Sequence, residues 1–292
     1  MADQEILVVG GAGYIGSHVC KMLQKRGYHL VVLDDLSTGH RAAVRGIFYE
    51  GRAGDATLVK NILQTHQIQT VMHFAAKAAV GESVQNPLLY YASNVTETAA
   101  LLTTLLECNV KNFIFSSTCS TFGESKIIPI HENVTQLPMN PYGKSKMMVE
   151  LILRDLQRSH GLNSAVLRYF NAAGADVDGE LGEDHKVETH LIPLALQALL
   201  GNGPKLTVFG NDYPTKDGSC VRDYVHVNDL ADAHIRAMEY IEKNKGFHDF
   251  NLGSESGDSV FEVLSAIEKV TQKKVPYTLG PRRAGDPAVL FA

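Results

Sequence analysis

Over the first 170 residues, short apolar runs alternate with longer stretches whose apolar positions recur at helical spacing. Residues 6–9 read as a buried strand, followed by a helix from about 14 to 25. Residues 30–33 form a second strand. Further strands are read at 47–49, 70–74, 113–115 and 165–170, with helical stretches around 58–63 and 97–106. Apolar runs this short and continuous fit a parallel sheet covered on both faces. Their alternation with helices predicts an α/β chain built on a doubly wound parallel sheet. After Asn171 the pattern loosens, and Gly, Asp and Pro become frequent. Helices are read there over 190–200, 228–241 and 259–269. The expectation is a Rossmann domain over 1–170 and a smaller C-terminal α/β substrate domain over 171–292, folded over the sheet edge.

Composition narrows the classes of function. The 292 residues carry 27 basic and 32 acidic side chains, a formal net charge of -5. That balance argues against broad binding to nucleic acid or anionic membranes. No apolar run approaches the ~20 residues of a membrane span. Met1 to Glu5 contain no basic segment of the kind that opens a signal peptide. Cys20, Cys108, Cys119 and Cys220 make no Cys-x-x-Cys pair and sit in no His-rich spacing. Reduced thiols in a cytoplasmic protein, without a metal, are the expectation.

The first turn carries the first chemistry. Gly10-Gly11-Ala12-Gly13-Tyr14-Ile15-Gly16 follows a predicted strand and opens a predicted helix, the context such a glycine run needs. Glycines there allow a tight turn and close approach to a pyrophosphate, which the helix N-terminus then attracts. Asp34 ends the second strand, where a carboxylate binds ribose hydroxyls and repels a 2′-phosphate. NAD is therefore expected rather than NADP. A plain glycine turn beside an exposed aspartate is the bland alternative.

The second signal is Asn140-Pro141-Tyr142-Gly143-Lys144-Ser145-Lys146. Asn140 is a good N-cap and Pro141 a good first helical residue. Tyr142 and Lys146, four apart, then lie on one helix face. A free tyrosine ionises near ~10; a neighbouring ammonium and a positively charged coenzyme ring would favour its phenolate. The pair suits proton abstraction from a hydroxyl whose carbon gives hydride to a nicotinamide. The strand at 113–115 runs into Ser116-Ser117-Thr118-Cys119-Ser120-Thr121, so hydroxyls emerge at its carboxyl end. Turn bonding is the bland reading of any one of them.

Together these residues resemble the extended short-chain dehydrogenase/reductase family, and within it the UDP-glucose 4-epimerases. The likeness spans the chain. It includes His73-Phe74-Ala75-Ala76, Val80-Gly81-Glu82-Ser83-Val84, Arg168-Tyr169-Phe170-Asn171 and, most specifically, 209–218 followed by Val221-Arg222-Asp223-Tyr224. The resemblance implies Tyr142 as catalytic base, Lys146 on the nicotinamide ribose and Thr118 on the sugar hydroxyl. It implies coenzyme contacts from Gly10, Gly13, Tyr14, Ile15, Gly16, Asp34, Phe74, Ala75, Ala76, Asn94, Ser116, Tyr142, Lys146 and Tyr169. UDP-sugar contacts are implied for Thr118, Tyr142, Asn171, His190, Leu191, Phe209, Arg222, Tyr224, Arg283 and Asp286. A homodimer is implied too, through helices at 97–106 and 147–156.

The implied reaction is inversion of C4 of a UDP-hexose through a 4-keto intermediate, with NAD held throughout. Related UDP-pentose or UDP-N-acetylhexosamine epimerases, a dehydratase or decarboxylase of the same family, and a non-catalytic NAD-binding module remain as alternatives. Dehydration would need an Asp-Glu pair after the threonine, where this chain has Cys119-Ser120. Ala78 stands where some members carry a cofactor-side lysine, although Lys77 is adjacent, and two further features depart from the pattern. Arg52 stands in Gly51-Arg52-Ala53-Gly54-Asp55, where an acid often reaches the adenine, and the chain stops at Ala292 where relatives continue in helix. The last departure points to truncation.

Overall fold

In the computed structural model, which describes residues 5–283 and 287–292, Val9 hands the chain from the first strand to the glycine turn. The first half comprises β1 (Glu5–Val9), α1 (Tyr14–Lys25), β2 (His29–Asp34), β3 (Ile47–Glu50), α2 (Ala56–Thr65) and β4 (Ile68–His73). Then come α3 (Val80–Gln85), α4 (Pro87–Tyr90), a π-helical segment over Tyr91–Thr96, α5 (Glu97–Glu107), β5 (Asn112–Ser116), α6 (Pro141–His160) and β6 (Asn163–Tyr169). β1 pairs in parallel with both β2 and β4. β3 extends the sheet beyond β2, while β5 and β6 extend it beyond β4. The strand order therefore reverses beside β1, and the crevice outside the strand ends there is the ligand position of such sheets.

Alternate residues of β1 serve opposite faces, as the two-residue period of a strand requires. Leu7 and Val9 pack with Val59, Ile62, Leu101, Leu105, Val149 and Leu153 from α2, α5 and α6. Ile6 and Val8 pack with Val19 and Leu23 of α1 on the other face. Each such aliphatic side chain contributes about 1.5–3 kcal/mol when fully buried.

The second half adds β7 (Asn171–Ala173), α7 (Leu191–Leu200), β8 (Leu206–Phe209), β9 (Val221–Arg222), β10 (Tyr224–His226), α8 (Val227–Lys243), β11 (Phe247–Leu252), β12 (Asp258–Ser259), α9 (Val260–Thr271), β13 (Tyr277–Gly280) and β14 (Val289–Leu290). β11 joins β6 in parallel register and makes the sheet seven-stranded. Ile235, Met238 and Ile241 of α8 complete the same face as α1. The stretch 227–252 thus returns to the main sheet, although sequence reading places all of 171–292 in the second domain. Phe247-His248-Asp249-Phe250-Asn251-Leu252 mixes three polar residues among its apolar ones, as an edge strand can, and so escapes a search for continuous apolar runs. A separate small core unites Ala195, Ala198, Leu206, Val208, Leu264 and Val275 from α7, β8, α9 and the turn before β13. β9 pairs with β12 and β14, and Ile130 donates its N–H to the Phe291 carbonyl, so residues 289–292 are tied into the fold.

Candidate active site

The glycine turn has the shape of a pyrophosphate cradle. Gly10 has φ +85°, and a Cβ there would stand 2.4 Å from the Ala75 nitrogen. At Gly16 a Cβ would stand 2.2 Å from the Gly10 carbonyl oxygen. A Cβ at Gly13 would meet only the Gly10 oxygen, at 3.5 Å, so its hydrogens face open space at the start of α1. Gly13 caps α1 without a side-chain acceptor and the first turn holds no acid, which leaves the helix N–H groups to an anion. Asp34 accepts from Ala12 N at 2.9 Å and Leu36 N at 2.8 Å, one bond to each oxygen. The remaining lone pairs suit two ribose hydroxyls. These features fit NAD. Tyr14 and Ile15 open α1, half-buried, and the Tyr14 hydroxyl donates to the Gly174 carbonyl at 2.6 Å, which ties the cradle to the second layer.

Phe74, Ala75 and Ala76 leave β4 on the same edge. Phe74 N and Ala75 N both donate to Val9 O, and the Phe74 ring packs 4.8 Å from that of His234 on α8. Asn94 lies within the π-helical segment. Its amide gives 2.9 Å to Lys77 O and 3.0 Å to Ser145 Oγ, while its oxygen accepts from Lys77 N at 2.8 Å. Asn94 thereby clamps the 75–79 loop to α6. At the adenine end, Arg52 pairs with Glu97, and Asp55 caps α2 by accepting from Leu58 N at 3.0 Å. The position where the resemblance expects an acid for adenine thus holds a guanidinium paired with Glu97, and the nearest acid in sequence, Asp55, caps a helix.

Local chemistry starts α6 where it is needed. Asn140 Oδ1 accepts from Gly143 N at 2.9 Å, with Pro141 in the first turn. Tyr142, Lys146 and Glu150 then follow at four-residue intervals on one face. Lys146, nearly buried, donates from Nζ to Ser116 O at 2.7 Å and stands 4.7 Å above the Phe115 ring. Ser116 Oγ shares a 2.5 Å hydrogen bond with the Tyr169 hydroxyl. The Thr118 hydroxyl lies near enough to the Tyr142 phenol to lower its pKa, and its oxygen accepts from Ser120 N at 3.1 Å. Thr118, Tyr142, Lys146, Ser116 and Tyr169 thus gather at the carboxyl ends of β5 and β6.

Electrostatics depart from the sequence expectation. Burial pushes the Tyr142 phenol up to about 12, and the nearby Thr118 hydroxyl only partly opposes it. Burial also pulls Lys146 down to about 7, against the nearby Glu150 carboxylate. The expected depression of Tyr142 by the Lys146 ammonium is therefore not supplied by the polypeptide alone: burial dominates the phenol, and Lys146 is not among the groups that lower it. A cationic coenzyme ring beside the phenol is the remaining source of that shift.

Sequence reading missed the support beneath this cluster. Glu150 is fully buried and takes Arg168 Nη2 at 2.6 Å, Ser117 Oγ at 2.5 Å and Gln136 Nε2 at 2.8 Å. Arg168 also reaches Asp249 on β11 at 2.8 Å. The signal was available: Glu150 continues the Tyr142–Lys146 spacing by one more turn.

Asn171, His190, Leu191 and Tyr224 line one pocket between β7, β10 and the start of α7, together with Glu183. Asn171 Nδ2 is anchored on the Asp223 carbonyl at 2.9 Å. The Arg283 guanidinium lies 4.1 Å over the Phe209 ring. Arg222, half-buried on β9, donates to Val221 O at 2.7 Å. Asp286 lies outside the described residues.

A parallel sheet with a glycine cradle at its switch point and a Tyr–Lys pair on the flanking helix defines a dinucleotide-binding α/β protein. The chain belongs to the NAD dependent epimerase/dehydratase family, whose match spans residues 6–253. It is 49% identical over 288 residues to the UDP-glucose 4-epimerase of Halalkalibacterium halodurans, covering 98% of this chain and 86% of that protein. UDP-glucose 4-epimerase from Brucella ovis, solved in complex with NAD, superposes with a TM-score of 0.97 at 48% identity, over 99% of this chain and 89% of that one. The Bifidobacterium longum enzyme in complex with NAD+ and UDP gives 0.94 at 38% identity, over 99% and 89%.

Proposed function

We propose that this chain is an NAD-dependent isomerase that inverts C4 of a UDP-hexose, interconverting UDP-glucose and UDP-galactose. The observation that carries the reading is the convergence of Tyr142, Thr118 and Lys146 at the strand ends of a sheet whose first turn is a pyrophosphate cradle. Gly10, Gly13, Tyr14, Ile15, Gly16 and Asp34 would hold the adenosine and pyrophosphate of NAD. Phe74, Ala75, Ala76, Asn94, Ser116, Lys146 and Tyr169 would line its nicotinamide half. Bound there, NAD would supply a reversible hydride acceptor.

Tyr142 takes the proton of the sugar 4-hydroxyl, and Thr118 orients that hydroxyl by hydrogen bonding. The C4 carbon becomes a ketone as its hydride departs. Arg222 and Arg283 grip the diphosphate, as planar guanidinium groups do well. Asn171, His190 and Leu191 fix the nucleotide from the β7–α7 side, while Phe209 and Tyr224 wall it. A hexose held mainly through its UDP can turn over, present the other face of the ketone and recover its proton from Tyr142. Thr118 is followed by Cys119 and Ser120 in place of an acid–base pair, which disfavours water elimination.

In the same reading, residues 171–226 and 253–292 form the substrate layer of a two-domain enzyme. The enzyme is a homodimer, supported by the exposed Met148 and Leu151 on α6. Four cysteines without a disulfide suit a reducing, cytoplasmic setting. The test is turnover of UDP-galactose in a coupled assay. Tyr142→Phe is expected to lower kcat at least about 10²-fold while leaving bound NAD detectable by mass spectrometry. Near-normal turnover in that variant would overturn the assignment.

A further inference from the structure

One cluster outside the tyrosine–lysine chemistry has the donor set of a metal site. The segment between β7 and α7 reads Glu183-Asp184-His185-Lys186-Val187-Glu188-Thr189-His190, two Glu-x-His pairs five residues apart. One ligand atom from each of Glu183, His185, Glu188 and His190 lies within 4.8 Å of all the others. His185 Nδ1 stands 3.5 Å from Glu183 Oε1 and 3.3 Å from Glu188 Oε2. His190 Nδ1 stands 3.5 Å from Glu188 Oε1 and contacts Glu183 Oε1 more closely.

Zinc binds imidazole nitrogen and carboxylate oxygen at about 2.0–2.2 Å, and a tetrahedron of such bonds has edges of about 3.3–3.6 Å. With Glu188 bound through Oε2, both separations from His185 Nδ1 already have that length, at 3.5 Å to Glu183 Oε1 and 3.3 Å to Glu188 Oε2. They are long for hydrogen bonds but right for ligands around a shared ion. The charges agree as well. The Glu183 and Glu188 side chains are only 8% and 6% exposed. Among the described residues, the cations in ion-pair range of these two acids are the two histidines themselves. Neutral imidazoles would leave two shielded carboxylates together, which a divalent cation offsets. Outer contacts fix the ligands: Glu188 Oε1 accepts from Thr189 N at 2.7 Å and His190 N at 2.8 Å, and His40 Nε2 sits 2.9 Å from the Asp184 carbonyl.

We propose that Glu183, His185, Glu188 and His190 form a four-ligand site for a divalent transition-metal cation of the zinc class. Four protein ligands fill the tetrahedron, so the ion is structural and closed to substrate. It pins the 183–190 loop against the start of α7 and holds His190 at the rim of the Asn171–Tyr224 pocket. The proposal does not depend on the isomerase reading, since metal content is measured without turnover.

The experiment removes adventitious metal with a chelator, then titrates Zn2+ against a competing chromophoric chelator for the natural sequence, His185→Ala and Glu183→Gln. One tight equivalent per chain is expected, with affinity at least about 100-fold weaker in each variant. Zn2+ should raise the melting temperature of the natural sequence and leave that of His185→Ala unchanged. Equal tight binding in His185→Ala, or no tight equivalent in the natural sequence, overturns the proposal. Co2+ loading offers a reading without substitution. An intense visible spectrum of tetrahedral Co2+ supports the site, and the weak spectrum of an octahedral ion refutes it.

Discussion

Tyr142 and Lys146 are each held in the form opposite to the one their chemistry invokes. Burial favours the neutral phenol of Tyr142 and the neutral amine of Lys146. The lysine makes this testable through stability. Its folded pKa, about 7, lies below the ordinary lysine value of 10.5. Between those values the unfolded chain binds a proton that the folded chain does not, so stability rises with pH across that window. Below about 7 the penalty is constant, and above the unfolded value it is gone. In urea unfolding of the coenzyme-free protein, the natural sequence should therefore be less stable than Lys146→Met near pH 7, by a difference that shrinks towards pH 10. A difference independent of pH would show that Lys146 is not desolvated as described.

Beneath that pair, Glu150 and Arg168 are buried ion-pair partners. Glu150→Gln leaves the guanidinium without its main counter-charge. It should destabilise the fold by about 3–5 kcal/mol in urea unfolding.

At the scale of elements, α6 delivers the chemistry because its first turn is specified locally. Asn140→Ala removes the acceptor for Gly143 N, so it should cost about 1 kcal/mol in chemical denaturation. kcat should fall with it, because Tyr142 is one residue inside the released turn. The start of α6, the Gly10–Gly16 turn and strands β1, β2, β4 and β5 were legible in the sequence because each is set by near neighbours: a cap, a turn or a continuous apolar run. β11 was not, since its polar residues answer to a sheet edge formed with β6 across 80 residues of chain. The pKa directions were not legible either. They depend on how fully Tyr142 and Lys146 are desolvated, which spacing on a helix does not encode. Pocket residues Asn171, His190, Leu191 and Tyr224 come together only once β7 pairs with β10. The resemblance named those residues, and the residue pattern by itself offered no reason to join them.

For the molecule as a whole, the outer face of α6 is the surface through which the proposed dimer would form. Met148 and Leu151 are 39% and 50% exposed on that face, with Leu88 of α4 at 80%. An apolar surface of this kind is what a partner subunit would cover. Light scattering of the natural sequence should give twice the chain mass, and Leu151→Glu should reduce it to that of a single chain. A single-chain mass for the natural sequence would remove the dimer from the account while leaving the site chemistry standing.

That chemistry turns on one hydride leaving C4 and returning to it within a single enzyme-bound cycle. The most direct measurement is turnover of UDP-galactose carrying deuterium at C4 in ordinary water, followed by mass and NMR analysis of the UDP-glucose formed. Deuterium retained at C4 of the product is the predicted result. Loss of the label to solvent would mean that C4 inverts by proton exchange, and would contradict the account.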